Sequence, residues 1–221
     1  PNTYDMYKSY FTIGWRNLLR SKGYSLINIG GLAVGMAVAI LIGLWIWDEV
    51  SFNQHHQNYD RIAQVMQTNT INNKTESGVA LPIPLAHELQ TKYGSDFKHV
   101  VLSSWTEGHM LSLGEKRFWK KGNYIEPEAV DMLSLKITKG TKHGLQDPYS
   151  IMICQSVAQA FFGDDNPVDK LILLDNKIAL KVTAVYEDLP YNSQFDGLDY
   201  LAPWQLNVAI RDWVKDSQTR W

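Results

Sequence analysis

An α+β domain carried behind one amino-terminal membrane helix is the architecture this sequence predicts. Residues 23–47, GYSLINIGGLAVGMAVAILIGLWIW, hold no Asp, Glu, Lys, Arg or His. As a helix this run is about 37 Å long, enough for a hydrocarbon core of about 30 Å. The charge is sorted around it. Residues 1–22 carry Lys8, Arg16, Arg20 and Lys22 against Asp5, a net of +3. The whole chain is −2, so residues 48–221 carry −2 − 3 = −5. The third observation is the alternation of short strand-like and helix-like patterns after residue 48, which reads as mixed α and β.

Taken in order, Tyr4, Tyr7, Phe11, Trp15 and Leu18 recur at spacings of three and four. They predict an amphipathic helix suited to a headgroup boundary or to another protein segment. Residues 1–22 are thus expected as a cytoplasmic amphipathic basic segment, because positive charge stays inside. Residues 23–47 follow as the transmembrane helix. Tyr24 at one end, with Trp45 and Trp47 at the other, stands where interfacial aromatics stand. A cleaved signal peptide fits less well, since its apolar region is shorter. Within the span, Gly31, Gly35, Ala39 and Gly43 fall four apart and form a small-residue stripe. Such a stripe lets a second helix approach closely, and these four are the helix-packing candidates.

Residues 48–221 are expected outside the cytoplasm. Residues 59–70 read as extended, and TINNKTESG as a polar loop. Pro82 and Pro84 open a helix running to Tyr93, where a proline costs nothing in the first turn. A strand is expected over His99–Ser104 and a hairpin around Gly114-Glu115-Lys116, then a short helix over Pro127–Leu133. Ser150–Ile153 reads as a strand and Gln155–Phe162 as a helix stopped by Gly163. Lys170–Leu174 and Ile178–Tyr186 flank Asp175-Asn176-Lys177 as a second hairpin, with Leu180, Val182, Ala184 and Tyr186 on one face. Leu189-Pro190 breaks that strand.

The composition excludes several functions. A near-neutral chain with an acidic body is not built to bind nucleic acid. One cysteine, Cys154, permits no internal disulfide. The apolar share of 45% against 20% charged allows a buried core, although the mean hydropathy of −0.24 masks the apolar span. No metalloprotease, nucleophile-elbow, paired-cysteine or phosphate-loop motif is present. His55 and His56 are neighbours, which on a helix or strand point apart, and with Asp60 make a poor zinc set. The expectation is therefore no enzyme, with no catalytic, cofactor-binding or metal residues.

The stretch SYFTIGWRNLLRSKGYSLINIGGLAVGMAVAILIGLWIWDEVSFNQHH resembles the opening of MacB/FtsX-type ABC transporter permeases in their Bacteroidota form. Trp15-Arg16-Asn17-Leu18, Leu26-Ile27-Asn28-Ile29, Gly31-Leu32, Gly35-Met36-Ala37, Asp48-Glu49, His56 and Asp60-Arg61-Ile62 carry the likeness. Pro82, Pro84 and Leu85 continue it, as do SIMICQSVAQAFFGDDNPVDK and VTAVYEDLPYNSQF. Cys154, Asp169, Ala184 and Gln194 stand where threonine, glycine, glycine and histidine are usual. The resemblance implies a MacB-like periplasmic core domain over residues 48–221, cut short before its carboxy-terminal end.

It also implies a permease fragment in the cell inner membrane, working for efflux or envelope substrate handling. The partners it implies are a cytoplasmic ATP-binding subunit, a second permease subunit, the lipid bilayer, and periplasmic or outer-membrane proteins. ATP-driven movement would pass through the extracytoplasmic domain. The alternative reading is a single-span sensor or anchored binding module; a further apolar span downstream would separate the two.

Overall fold

The computed structural model describes residues 3–219. Residues 1, 2, 220 and 221 of the expected segments lie outside the described ones, as does the side chain of Tyr4. The chain divides into two compact units, Pro1–Phe52 and Asn53–Trp221.

The first unit holds two helices, α1 (Thr3–Arg20) and α2 (Lys22–Ser51), separated by Ser21. Along α1 the four-residue spacing stacks Phe11 on Trp15, ring centroids 6.5 Å apart. α2 has 30 residues and is long and apolar enough to cross a membrane. No residue of it is buried, so its apolar face is not the stripe of a core helix. Asp48 and Glu49 sit in its last turn, where the helix dipole disfavours acids. The helix then stops at Phe52, whose backbone turns extended.

In the second unit, β1 (Gln67–Ile71) and β2 (Lys74–Gly78) form a separate antiparallel ribbon. Asn72 and Asn73, at φ 52° and 60°, make its tight turn, a conformation asparagine tolerates better than most residues. Threonine and serine hydroxyls face each other across it, Thr68 to Ser77 at 2.9 Å and Thr70 to Thr75 at 3.1 Å. The expected polar loop is therefore a polar hairpin.

After α3 (Pro84–Tyr93) comes the main sheet. Its strands are β3 (Glu107–Leu113), β4 (Lys116–Ile125), β5 (Ile137–Gly140), β6 (Ser150–Cys154), β7 (Leu171–Leu174), β8 (Ile178–Tyr186) and β9 (Tyr200–Pro203). α4 (Ala129–Met132), α5 (Gln155–Phe162), α6 (Trp204–Ile210) and α7 (Asp212–Asp216) are interspersed. The order is β5-β8-β6-β9-β4-β3-β7, and β7 pairs again with β8. Six strands thus join in a ring, with β5 attached beside the far half of β8. Closure of this kind removes free sheet edges.

The two hairpins expected from their turns are present, with Gly114 (φ 59°) in one and Asp175 and Asn176 (φ 52° and 55°) in the other. α5 ends at Gly163, φ 60°. Residues 99–104 are not a strand; they contribute one bridge, Ser103 to Ile125. The core gathers Leu111, Ile151, Ile153, Val157, Leu180 and Val182, all without exposure. Leu180, Val182, Ala184 and Tyr186 share the buried face of β8 as their alternation requires.

Candidate functional site

Three places hold functional promise, and the first is the small-residue stripe. Gly31, Gly35, Ala39 and Gly43 all lie on α2 and are exposed. A side chain built at any of the three glycines would meet no atom within 4 Å. Four-residue steps on a helix drift slowly, so the four sit along one flank.

The second is the strap that begins the second unit. Asn53 adopts φ 60°, and its N–H donates to the Asn192 carbonyl at 2.9 Å. Its side-chain oxygen accepts from the Gln194 N–H, also at 2.9 Å. Three residues on, His56 is buried, and its Nδ1–H donates to the Leu133 carbonyl at 2.7 Å. Its ring meets Phe195 edge to face, centroids 6.0 Å apart. Gln194 Nε2 then donates to Gln64 Oε1 at 3.2 Å. Residues 53–64 are therefore stitched to the loops at residue 133 and residues 192–195.

Burial lowers the pKa of His56, and burial followed by the charge of His56 lowers that of His55. The two imidazoles do not point apart as their adjacency suggested. The segment is a turn and not a helix or strand, which brings their centroids to 3.7 Å. Among the described residues no set of three His, Cys, Asp or Glu groups could hold a metal ion.

The third place is a polar cluster on the inward face of β3, β4 and β9. Arg211, at the break between α6 and α7, clasps Glu107 of β3 through both guanidinium nitrogens. This paired geometry is the strong form of a carboxylate contact. The guanidinium carbon also lies 5.2 Å from the centre of the Tyr124 ring. His109 Nδ1–H donates to Asp175 Oδ2 at 2.7 Å, and Asp175 Oδ1 accepts the Met110 N–H at 3.0 Å. The Asp175 turn is thereby fastened to the edge of β3. The His109 ring stands edge-on to Tyr124 and Tyr200, at 5.9 and 6.4 Å.

Both tyrosines are fully buried. Burial pushes the Tyr124 phenol up to about 12 and that of Tyr200 higher still. The Arg211 hydrogen bonds hold the Glu107 carboxyl below its usual range. Tyr200 reaches its place because Gly122 of β4 has no side chain; a Cβ there would stand 2.5 Å from the ring's Cε1 and Cε2. Charge-assisted bonds tie β3 to the α6–α7 break and to the β7–β8 turn, and ring contacts add β4 and β9. Its phenols are held protonated and its carboxylates are committed to partners, which is the chemistry of a brace. Cys154 is likewise quiet. It is buried at the start of α5, and burial, then Asp188, raises its thiol to about 12.

The sequence singles out Gly31, Gly35, Ala39 and Gly43 as helix-packing candidates, and His56 only as part of a poor zinc set and of the family resemblance. It does not reveal the polar cluster, whose members lie up to 104 residues apart and carry no local pattern.

The mixed sheet of the second unit is a fold that known proteins share. The family described as the MacB-like periplasmic core domain matches residues 25–219. This chain belongs to that family. Among solved structures, its MacB-like domain is similar to a domain described as from a permease protein of Porphyromonas gingivalis. The TM-score is 0.55 at 21% identity, over 71% of this chain and 65% of that one. The periplasmic region of MacB from Actinobacillus actinomycetemcomitans follows at TM-score 0.49 and 21% identity, covering 60% and 59%. The extracellular domain of the ABC-type transporter YknZ from Gram-positive bacteria gives 0.45 and 16%, covering 60% and 75%. The likeness of fold rests on the first of these. The MacB-like chain spans about two thirds or less of the first two structures' own length. No curated protein matches it.

Proposed function

We propose that this chain is the amino-terminal part of an ABC transporter permease subunit. α2 crosses the cell inner membrane, residues 1–22 lie on the cytoplasmic side, and residues 48–221 stand outside it. The observation that carries the reading is the match to the MacB-like periplasmic core domain over residues 25–219, which takes in residues 25–51 of the apolar helix as well as the sheet. The direction follows from the basic flank before the helix and the acidic body after it.

In this reading, ATP hydrolysed by a cytoplasmic partner subunit moves α2, and the movement enters the outer domain through the strap. Asn53 and His56 lie within a few residues of the helix end and are bonded to two distant loops. A pull on this segment is therefore delivered to the body of the sheet. The stripe at Gly31, Gly35, Ala39 and Gly43 packs against another membrane helix, in a second permease subunit or a later segment.

Cys154 tests the placement. A membrane-impermeant maleimide is added to spheroplasts, then to inverted vesicles, each with mild denaturant to open the buried site. Labelling is expected in spheroplasts; labelling confined to inverted vesicles contradicts the orientation.

A further inference from the structure

The outer face of the β3–β4 hairpin carries an indole between two cations. Side chains alternate along a strand, so Arg117, Trp119 and Lys121 of β4 project from one face. Phe118 points to the other, where its ring meets Phe161 of α5 at 5.0 Å. The other two lysines of the strand are occupied. Lys116 Nζ donates to the Ala160 and Phe161 carbonyls at 3.1 and 2.7 Å, and Lys120 pairs with Asp199 at 3.3 Å. Arg117 and Lys121 are exposed, and among the described residues neither has an ion-pair partner.

The indole between them is held, not loose. Gly108, diagonal to it on β3, lacks the side chain that would collide with Trp119 Nε1, Cε2 and Cζ2. The ring therefore lies down over the β3 backbone while remaining 65% exposed. A large aromatic ring fixed flat and left open to solvent is characteristic of a contact surface. The three side chains stand in a row along one strand, which suits an extended macromolecular segment better than a small molecule. Arg117 and Lys121 are four residues apart on a strand, so about 13 Å separates their Cα atoms.

That spacing has a complement. In an extended peptide, residues i, i+2 and i+4 project from one face over the same length. We infer that this face docks an acidic extended segment of a partner protein. Carboxylates at i and i+4 meet Arg117 and Lys121, and an apolar side chain at i+2 lies on the Trp119 indole. Residues 48–221 carry −5 overall, so the cations work at contact range against an unfavourable general field. Affinity is accordingly modest and falls with salt. This surface lies outside the proposed transport mechanism, and its test does not depend on it.

The test uses the full chain in uncharged detergent and a fluorescein-labelled ten-residue peptide containing Glu-Ala-Leu-Ala-Glu, followed by anisotropy. Saturable binding is expected in 50 mM NaCl, weakened several-fold at about 300 mM. Arg117→Glu with Lys121→Glu lowers affinity at least about tenfold, and Trp119→Ala about fivefold. Lys139→Glu, an exposed site on β5, leaves it unchanged, and a Lys-Ala-Leu-Ala-Lys peptide does not bind. Circular dichroism confirms that the variants stay folded. Absence of saturable binding overturns the assignment, as does an equal loss in Lys139→Glu. It is also overturned if soluble short-chain phosphatidylglycerol displaces the peptide at lower concentration than unlabelled peptide does, since the face then recognises lipid headgroups.

Discussion

His56 gives the sharpest test of the strap. Phenylalanine in its place keeps a ring against Phe195 but removes the Nδ1–H that satisfies the buried Leu133 carbonyl at 2.7 Å. Leaving a buried acceptor without its partner costs about 1–3 kcal/mol. For a domain of this size, that moves a urea midpoint down by about 0.5–1 M. Asparagine places a side-chain N–H near the position of Nδ1 and cannot gain a proton, so His56→Asn is expected to lose less at neutral pH. The pH dependence has a definite sign. The folded state lowers the pKa of both His55 and His56. Below about pH 6.5 the unfolded chain therefore takes up protons first, and stability falls until the folded imidazoles titrate in turn. The wild-type chain in detergent is expected to lose more stability between pH 7.5 and 5.5 than His55→Gln/His56→Asn, measured by tryptophan fluorescence in urea. Comparing the two cancels the contributions of carboxylates. Equal midpoints for wild type and His56→Phe, or equal pH slopes for wild type and the double variant, would refute the account of the strap.

Gly122→Ala is expected to destabilise by about 1–3 kcal/mol, because the added methyl strikes the buried Tyr200 ring. Tyr200→Leu in the same chain should recover part of that loss in a double-mutant cycle, and strict additivity would remove the steric explanation. On α2, Gly35→Leu should leave membrane insertion intact, since leucine partitions at least as well as glycine. It should lower transport or stimulated ATPase in the assembled transporter, with Ile42→Ala as the control; wild-type behaviour at full expression would mean the stripe faces lipid.

Much of the fold was legible where the chain signals locally. An uncharged run of 25 residues announces α2. Gly114 and the Asp175-Asn176 pair announce two hairpins because those residues take positive φ readily. Gly163 announces the end of α5 for the same reason. The misses share a cause as well. β2 is exposed throughout and so are residues 67–70 of β1, so the extended reading of residues 59–70 had no apolar alternation to pair it with a second strand, and only the Asn72-Asn73 turn could have revealed the hairpin. β5 and β9 have four residues each, too few to show a period of two. Of the candidate places, the stripe lies within one helix and is written in consecutive turns. The brace unites Glu107, His109, Asp175 and Arg211 through tertiary contacts alone, and no window of sequence contains it.

The position of β9 bears on how such a domain is made. It is the last of the described strands, yet it lies in the middle of the sheet, antiparallel to β6 and parallel to β4. The β3–β4 and β7–β8 hairpins can form from neighbouring residues as soon as they emerge. They meet where β3 pairs with β7, Leu111 with Leu174 and Ser112 with Leu173, but β4 and β6 are bridged only by Tyr200–Pro203. Synthesis therefore delivers most of the domain as one unsealed sheet, with β4 and β6 each presenting an open edge to any strand nearby. Assembly waits on contacts distant in sequence, which are the slow ones to find. A chain interrupted before residue 200 lacks the keystone, and it should be a far better substrate for proteases and holding chaperones than one that runs four residues further.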